Sequence, residues 1–237
     1  MSWDLSRLKE DILKLHDKKQ VALLSPCLNS IVERQDYARF YFLEAKKLFN
    51  DFFTEKTSRT ELVRLIFLNK SEERENFEEC NFQIQAHVLS CMQNIHSVSD
   101  ILSHVIYYSL GINQSNSTTL PLEKVSIYNV SRFIDNNPEY SELTEKLSKL
   151  TRHDDYKYLT AIVNHSKHRS VIKPFFNVNL QKEEGEMHEM KFREFLYKGT
   201  TFPARLVFDF LEPEFDRESY LTIEIGNEIN QLVFNKI

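Results

Sequence analysis

The stretch IQAHVLSCMQNIHSVSDILSHV, from Ile84 to Val105, decides the fold. Ile84, Val88, Cys91, Ile95, Val98, Leu102 and Val105 follow one another at alternating steps of four and three residues. That spacing lays one apolar seam along a helix, because positions three and four apart share a face. Phe77 extends the seam back by a heptad and Gly111 ends it, so one helix is expected over 72–110. A seam that long needs other helices to cover it, which makes the fold class mainly α.

Upstream, Leu5, Leu8, Ile12 and Leu15 predict a short charged helix over 4–20. Ser25-Pro26 reads as a break, followed by a longer helix over 29–54 through Ile31, Ala38, Phe42, Ala45, Leu48 and Phe52. Thr57-Ser58 reads as a cap before a helical segment at 61–67. Downstream, the Asn/Ser/Thr run at 113–119 reads as a loop. Helices are then expected over 122–135, stopped before Pro138, over 139–150, and over 153–169, with Pro174 preventing continuation.

Beyond Pro174 the period changes from helical to two. Phe176, Val178 and Leu180 alternate, as do Met190 and Phe192, and then Leu206, Phe208 and Phe210. These read as three strands of an antiparallel meander, with Glu183-Glu184-Gly185-Glu186 as a hairpin tip and Lys198-Gly199-Thr200-Thr201 as a second turn. Leu221, Ile225, Ile229, Leu232 and Val233 restore helical spacing, with Gly226 an unfavourable interior residue. The expected architecture is an antiparallel helical bundle over 1–172, with a small antiparallel β-sheet appendage and a C-terminal helix over 173–237. So small a sheet is not stable alone and is expected to pack on the bundle.

The composition supports a folded core: 41% of the 237 residues are apolar, with 18 Phe and 10 Tyr, and only 4 Gly and 6 Pro interrupt regular structure. The net charge of −5 supplies no general field for nucleic acid, so any such binding needs a local patch. Residues 149–173 are rich in Lys, Arg and His, whereas 183–194 and 209–218 are acidic. Cys27, Cys80 and Cys91 form no CxxC pair, which argues against a disulfide framework or zinc ribbon and for a reducing, cytoplasmic setting. The N-terminus is charged at Asp4, unlike a signal peptide, and no apolar run is long enough to span a membrane. The phosphate loop GxxxxGK[ST] and the motifs GxGxxG, GxSxG and HExxH are all missing, which removes the usual support for nucleotide hydrolysis, dinucleotide redox chemistry, serine hydrolysis and zincin proteolysis.

The chemistry concentrates in Asn164-His165-Ser166-Lys167-His168-Arg169, at the end of the helix expected over 153–169. On a helix Asn164 and His168 share one face, and His165 and Arg169 an adjacent one. An imidazole near neutral pH can take a proton from a ribose hydroxyl, and Lys167 and Arg169 can hold a phosphate. The candidate catalytic set is therefore His168, Asn164 and Lys167, with His165 and Arg169 as substrate-binding residues. The plain alternative is a basic last turn that complements the helix dipole.

A long helical core followed by a helix ending in Asn-x-x-Lys-His resembles the HEPN superfamily of helical bundles. In that family's commonest motif, Arg-Asn-x-x-x-His, the Asn and His correspond to Asn164 and His168, and Val163 stands at the Arg position. Neither Lys167 nor Arg169 occupies that position. The resemblance covers 30–172. It implies a homodimer with the motif helices facing each other, and metal-independent RNA cleavage in active members, with no cofactor. Branches lacking the motif act as binding or scaffold modules.

His96, Asp100 and His104 stand at i, i+4 and i+8 along the long helix, beside its apolar seam. Asp100, with His96 and His104, is expected to support the site by orienting an imidazole or a basic residue, or else to join a buried polar network. The pattern is too sparse for a metal site. Arg152-His153-Asp154-Asp155 reads as the capped, acidic first turn of the next helix. The aromatic residues Phe175, Phe176, Phe192, Phe195, Tyr197, Phe202, Phe208 and Phe210 read as core rather than as a base-stacking platform, because acids interleave them. Two functions follow: a protein that binds or cuts RNA through His168, or a non-catalytic scaffold with a protein partner whose polar cluster fixes helix register. Exposure of Lys167 and His168 separates them.

Overall fold

The computed structural model describes residues 2–53, 58, 60, 62–64, 72–114, 120–183 and 186–237. The chain is mainly α-helical, with a small antiparallel sheet and a C-terminal helix. The helices are α1 (Leu5–Leu15), α2 (Lys18–Phe53), α3 (Glu72–Ser109), α4 (Ile127–Ile134), α5 (Ser141–Thr151) and α6 (Asp154–His168). Five short strands follow: β1 (Phe175–Val178), β2 (His188–Phe192), β3 (Phe195–Tyr197), β4 (Thr200–Phe202) and β5 (Arg205–Leu206). Helix α7 (Val207–Phe234) closes the chain.

Local chemistry explains several ends. The Asp4 carboxylate accepts the Arg7 amide at 2.9 Å and starts α1. Ser126 does the same for α4, accepting the Asn129 amide at 3.3 Å. Gly111 adopts φ 65 just past α3, the left-handed conformation that glycine takes without strain.

Pro26 does not break the helix as expected; α2 runs straight through it. A proline inside a helix costs about 3 kcal/mol. Leu24, Leu28 and Ile31, on both sides of it, are buried, and each such side chain returns roughly 1.5–3 kcal/mol. Ser25 Oγ also donates to the Val21 carbonyl at 2.7 Å, one turn back. Burial outweighs the missing bond.

By their packing the described residues form two compact units, each assembled from separated stretches. The first takes 2–36, 94–157 and 216–237; the second takes the described residues of 37–93 and 158–215. Helices α2, α3, α6 and α7 each contribute turns to both. The chain passes between units after residues 36, 93, 157 and 215, because different turns of one long helix serve different cores.

In the first unit, Leu8 and Ile12 of α1, Leu24 and Leu28 of α2, Val98, Leu102 and Val105 of α3, and Ile225 and Ile229 of α7 share one buried cluster. In the second, α2 and α3 are linked where Cys80 Sγ meets the Leu48 carbonyl at 3.7 Å and where the Tyr41 and His87 rings lie 5.7 Å apart. Ile84, Val88 and Cys91, the earlier part of the seam, are buried there. Phe53 stacks on Phe176 at 4.6 Å and on His188 at 5.1 Å.

The sheet of the second unit has the order β1-β2-β5, with Phe176 opposite Met190 and Lys191 opposite Leu206. A separate hairpin pairs β3 with β4. Lys198 (φ 49) and Gly199 (φ 83) form its tip, the positive-φ pair that a two-residue hairpin requires. Thr200 and Thr201, expected in the turn, lie in β4 instead. Leu180 lies beyond β1 and is exposed. Phe208 and Phe210 are helical, not extended. Val207, Phe210 and Leu211 are all buried, and their helical spacing wins over the two-residue step of the same segment.

Of the segment expected at 61–67, residues 62–64 are helical and the Leu62 amide donates to the Ser58 carbonyl at 3.2 Å; Thr57 and the remainder lie outside the described residues. So do Glu184 and Gly185 of the expected hairpin tip and residues 115–119 of the expected loop. Among the described residues no helix is long and apolar enough to cross a membrane.

Candidate functional site

The last turn of α6 lies in the second unit, with the β3–β4 hairpin. Tyr158, Leu159, Ala161, Ile162 and Val163 are buried and pin the helix to the core. Val163, at the position of the family motif's Arg, is thus a core residue. Beyond it the helix emerges: Asn164, His165 and Ser166 are half-buried, and Lys167, His168 and Arg169 are exposed.

Two side-chain contacts help to hold the turn that follows. His165 Nδ1 lies 2.8 Å from the Ser170 carbonyl, and the Ile172 amide donates to Ser166 Oγ at 3.3 Å. The first bond requires Nδ1 to carry a proton, which leaves Nε2 as the imidazole's second position. The His165 ring also meets Phe195 and Tyr197 edge-on, each with centroids 6.1 Å away. Among the described residues no hydrogen bond joins Asn164 to His168; their shared helix face relates them.

The structure adds Tyr197 and Lys198, which the sequence reading did not place with this cluster. The Arg169 guanidinium lies 5.2 Å from the Tyr197 ring centroid, and Lys198 Nζ lies 5.4 Å from it. Both are cation–π distances. The Tyr-Lys-Gly order at the hairpin tip was the available signal: an aromatic and a cation held on a rigid two-residue turn. Its position next to α6 could not be read from spacing.

The other ring residues of this region do pack as core. Tyr158 meets Phe195, Phe202 and Phe210 edge-on with centroids at 5.4, 5.9 and 4.9 Å. The Arg205 guanidinium covers the Tyr158 ring at 4.5 Å.

His96, Asp100 and His104 belong to the first unit, and Asn164–Arg169 to the second. His96 is buried and its Nδ1 lies 3.8 Å from the Asp100 carboxylate, an ion-pair separation rather than a hydrogen bond. Burial lowers the pKa of His104, and the Asp100 charge partly opposes that. On the same helix, Ser99 Oγ receives the Tyr156 hydroxyl at 3.0 Å, tying α6 to α3 within this unit. Arg152 caps the end of α5, and α6 starts at Asp154, where His153 Nδ1 accepts the Asp155 amide at 3.3 Å and both acids fall in the first turn.

What this surface offers chemically is a row of cations, an exposed imidazole and an aromatic ring on a rigid support. Comparison with protein-family models, with characterised proteins and with solved structures finds no match for this chain.

Proposed function

We propose that the end of α6 and the β3–β4 hairpin bind RNA, and that His168 cleaves it without a metal ion in a HEPN-like homodimer. The observation that carries this reading is the convergence of Arg169, just past α6, and Lys198 on Tyr197 of the hairpin, while the last turn of α6 exposes His168. Single-stranded nucleic acid is bound by this combination of backbone-neutralising cations and a stacking ring. Arg169, Lys198 and Lys167 hold phosphates, while Tyr197 and His165 offer ring surfaces. His168 takes the proton from a ribose 2′-hydroxyl as that oxygen attacks the adjacent phosphorus. The P–O5′ bond then breaks, and the second copy's imidazole protonates the leaving oxygen. Asn164 lies one turn before His168 on the same face, in position to contact the ribose. The absence of a motif Arg leaves Arg169 as the group that stabilises the developing phosphorane charge.

A second reading is a non-catalytic interaction module. Burial of Val163 and the exposed Tyr37, Phe40 and Leu43 on α2 favour it.

The test is incubation of the purified chain with a mixed-sequence single-stranded RNA in excess chelator, beside His168→Ala, with sedimentation to report the dimer. Chelator-resistant cleavage that the variant loses supports the enzyme. RNA binding without cleavage retains the interface and removes the catalytic step. Neither binding nor cleavage by a folded chain favours the interaction module.

A further inference from the structure

The first unit carries an open groove of about 890 Å³ between the end of α3 and helix α4. We propose that it binds a small organic anion: a flat apolar body bearing one phosphate or carboxylate. The floor is apolar, with Leu120, Phe133 and Tyr140 packed against the unit's core and partly open to the groove. The rim supplies two cations, Lys124 and Arg132, and the amide of Asn129. No carboxylate is among the described residues that line it, although the chain as a whole is acidic at −5. Among the described residues neither cation is engaged in an ion pair, so both remain available to a ligand.

The groove's supports are fixed. Asn129 Nδ2 donates to the Lys124 carbonyl at 2.7 Å, which ties the Lys124 turn to the first turn of α4. The Tyr107 hydroxyl donates to the Leu120 carbonyl at 2.7 Å and holds the opposite lip. Lys236 Nζ donates to the Tyr140 hydroxyl at 2.9 Å, which fixes that ring at the far end. Size and lining match small-molecule sites, which are apolar surfaces with a few placed polar groups. Arg132 suits either anion, since its planar fork pairs with both phosphate and carboxylate oxygens.

The test uses the full chain and four probes followed by fluorescence anisotropy or calorimetry: 1-naphthyl phosphate, 1-naphthaleneacetate, 1-naphthol and inorganic phosphate. At least one naphthyl anion should bind about tenfold more tightly than naphthol or phosphate alone, and which one does so identifies the anion. Arg132→Ala should weaken it about tenfold, with Arg132→Lys intermediate, while the thermal midpoint stays unchanged because Arg132 is exposed. Phe133→Leu should weaken anion and naphthol together. No binding of either naphthyl anion, or binding indifferent to Arg132→Ala, overturns the proposal. RNA binding through α6 is read separately and is unaffected by either result.

Discussion

Trp3 lies against the backbone of α7 at Gly226, where an added Cβ would sit 2.1 Å from Trp3 Cδ2. Trp3 Nε1 donates to Asn230 Oδ1 at 3.0 Å, and Asn230 Nδ2 donates to the Asp4 carbonyl at 2.8 Å, so the amide that holds the indole is itself held. Gly226→Ala should therefore destabilise the protein by about 1–3 kcal/mol, against the roughly 1 kcal/mol that helix propensity alone would add. Urea denaturation measures this. In a Trp3→Leu background the penalty should shrink, because the smaller side chain leaves room; an equal penalty there would place the strain elsewhere.

Lys146 bridges Glu228 at 3.1 Å and also contacts Glu142. Burial opposes charge on Lys146, but its hydrogen bonds to the two carboxylates win and raise its pKa. Glu228 is nearly buried, so Lys146→Ala strands a charge and should cost about 3 kcal/mol. Lys146→Met combined with Glu228→Leu should recover most of that loss. A double variant as unstable as the single would show that the pair does more than neutralise itself.

His188 stacks on Phe53 and meets Phe49 at a tilt, and burial, with Lys182 nearby, lowers its pKa. A folded-state pKa below the unfolded value contributes stability that is present above about 6.5 and lost as pH falls through the folded value. The urea midpoint should drop more between pH 8 and pH 5 for the parent chain than for His188→Phe. Identical pH profiles would contradict the assignment.

The Tyr158 hydroxyl is buried with no hydrogen-bond partner among the described residues. Burial pushes its pKa well above the usual range, against the opposing charge of Arg205. Tyr158→Phe removes an unsatisfied group and keeps the ring, so stability near neutral pH should rise by about 1 kcal/mol. A fall of similar size would reveal a partner for that hydroxyl.

At the proposed interface, Arg169→Ala with Lys198→Ala should weaken RNA binding uniformly across sequences. The salt dependence should flatten by about 0.7 log unit per lost phosphate contact. Tyr197→Leu should cost roughly 1–3 kcal/mol per stacked base without changing the salt slope. His168→Ala should leave affinity nearly intact and affect only cleavage. Titrations of a labelled oligonucleotide at several salt concentrations separate the three.

Much of this was legible in the chain. The Ile84–Val105 spacing predicts α3, and Gly111 predicts its end, because a long seam and a positive-φ stop are local properties. The Asn164–Arg169 cluster was equally visible, as were its helix phase and the stop that follows it. Pro26 misled because a local rule about one missing bond competes with three buried aliphatic side chains that only the packed core reveals. Phe208 and Phe210 misled because a short apolar run carries both periods at once. Tyr197 was read as core because its relation to Arg169 spans two whole strands, β1 and β2, and no spacing rule reaches across that distance.

The sequence by itself determined where helices form and where most end, since periodicity, caps and glycine act within a few residues. It also set a mainly α class with a short strand-rich segment after Pro174. Only the tertiary structure decided how those elements are shared out. The early turns of α3 bury Ile84 and Val88 in one unit, and the later turns bury Leu102 and Val105 in the other. Only packing brought Arg169 over Tyr197 and Trp3 onto Gly226. Those pairings depend on contacts between residues far apart in the chain, which close only once the apolar faces have found each other.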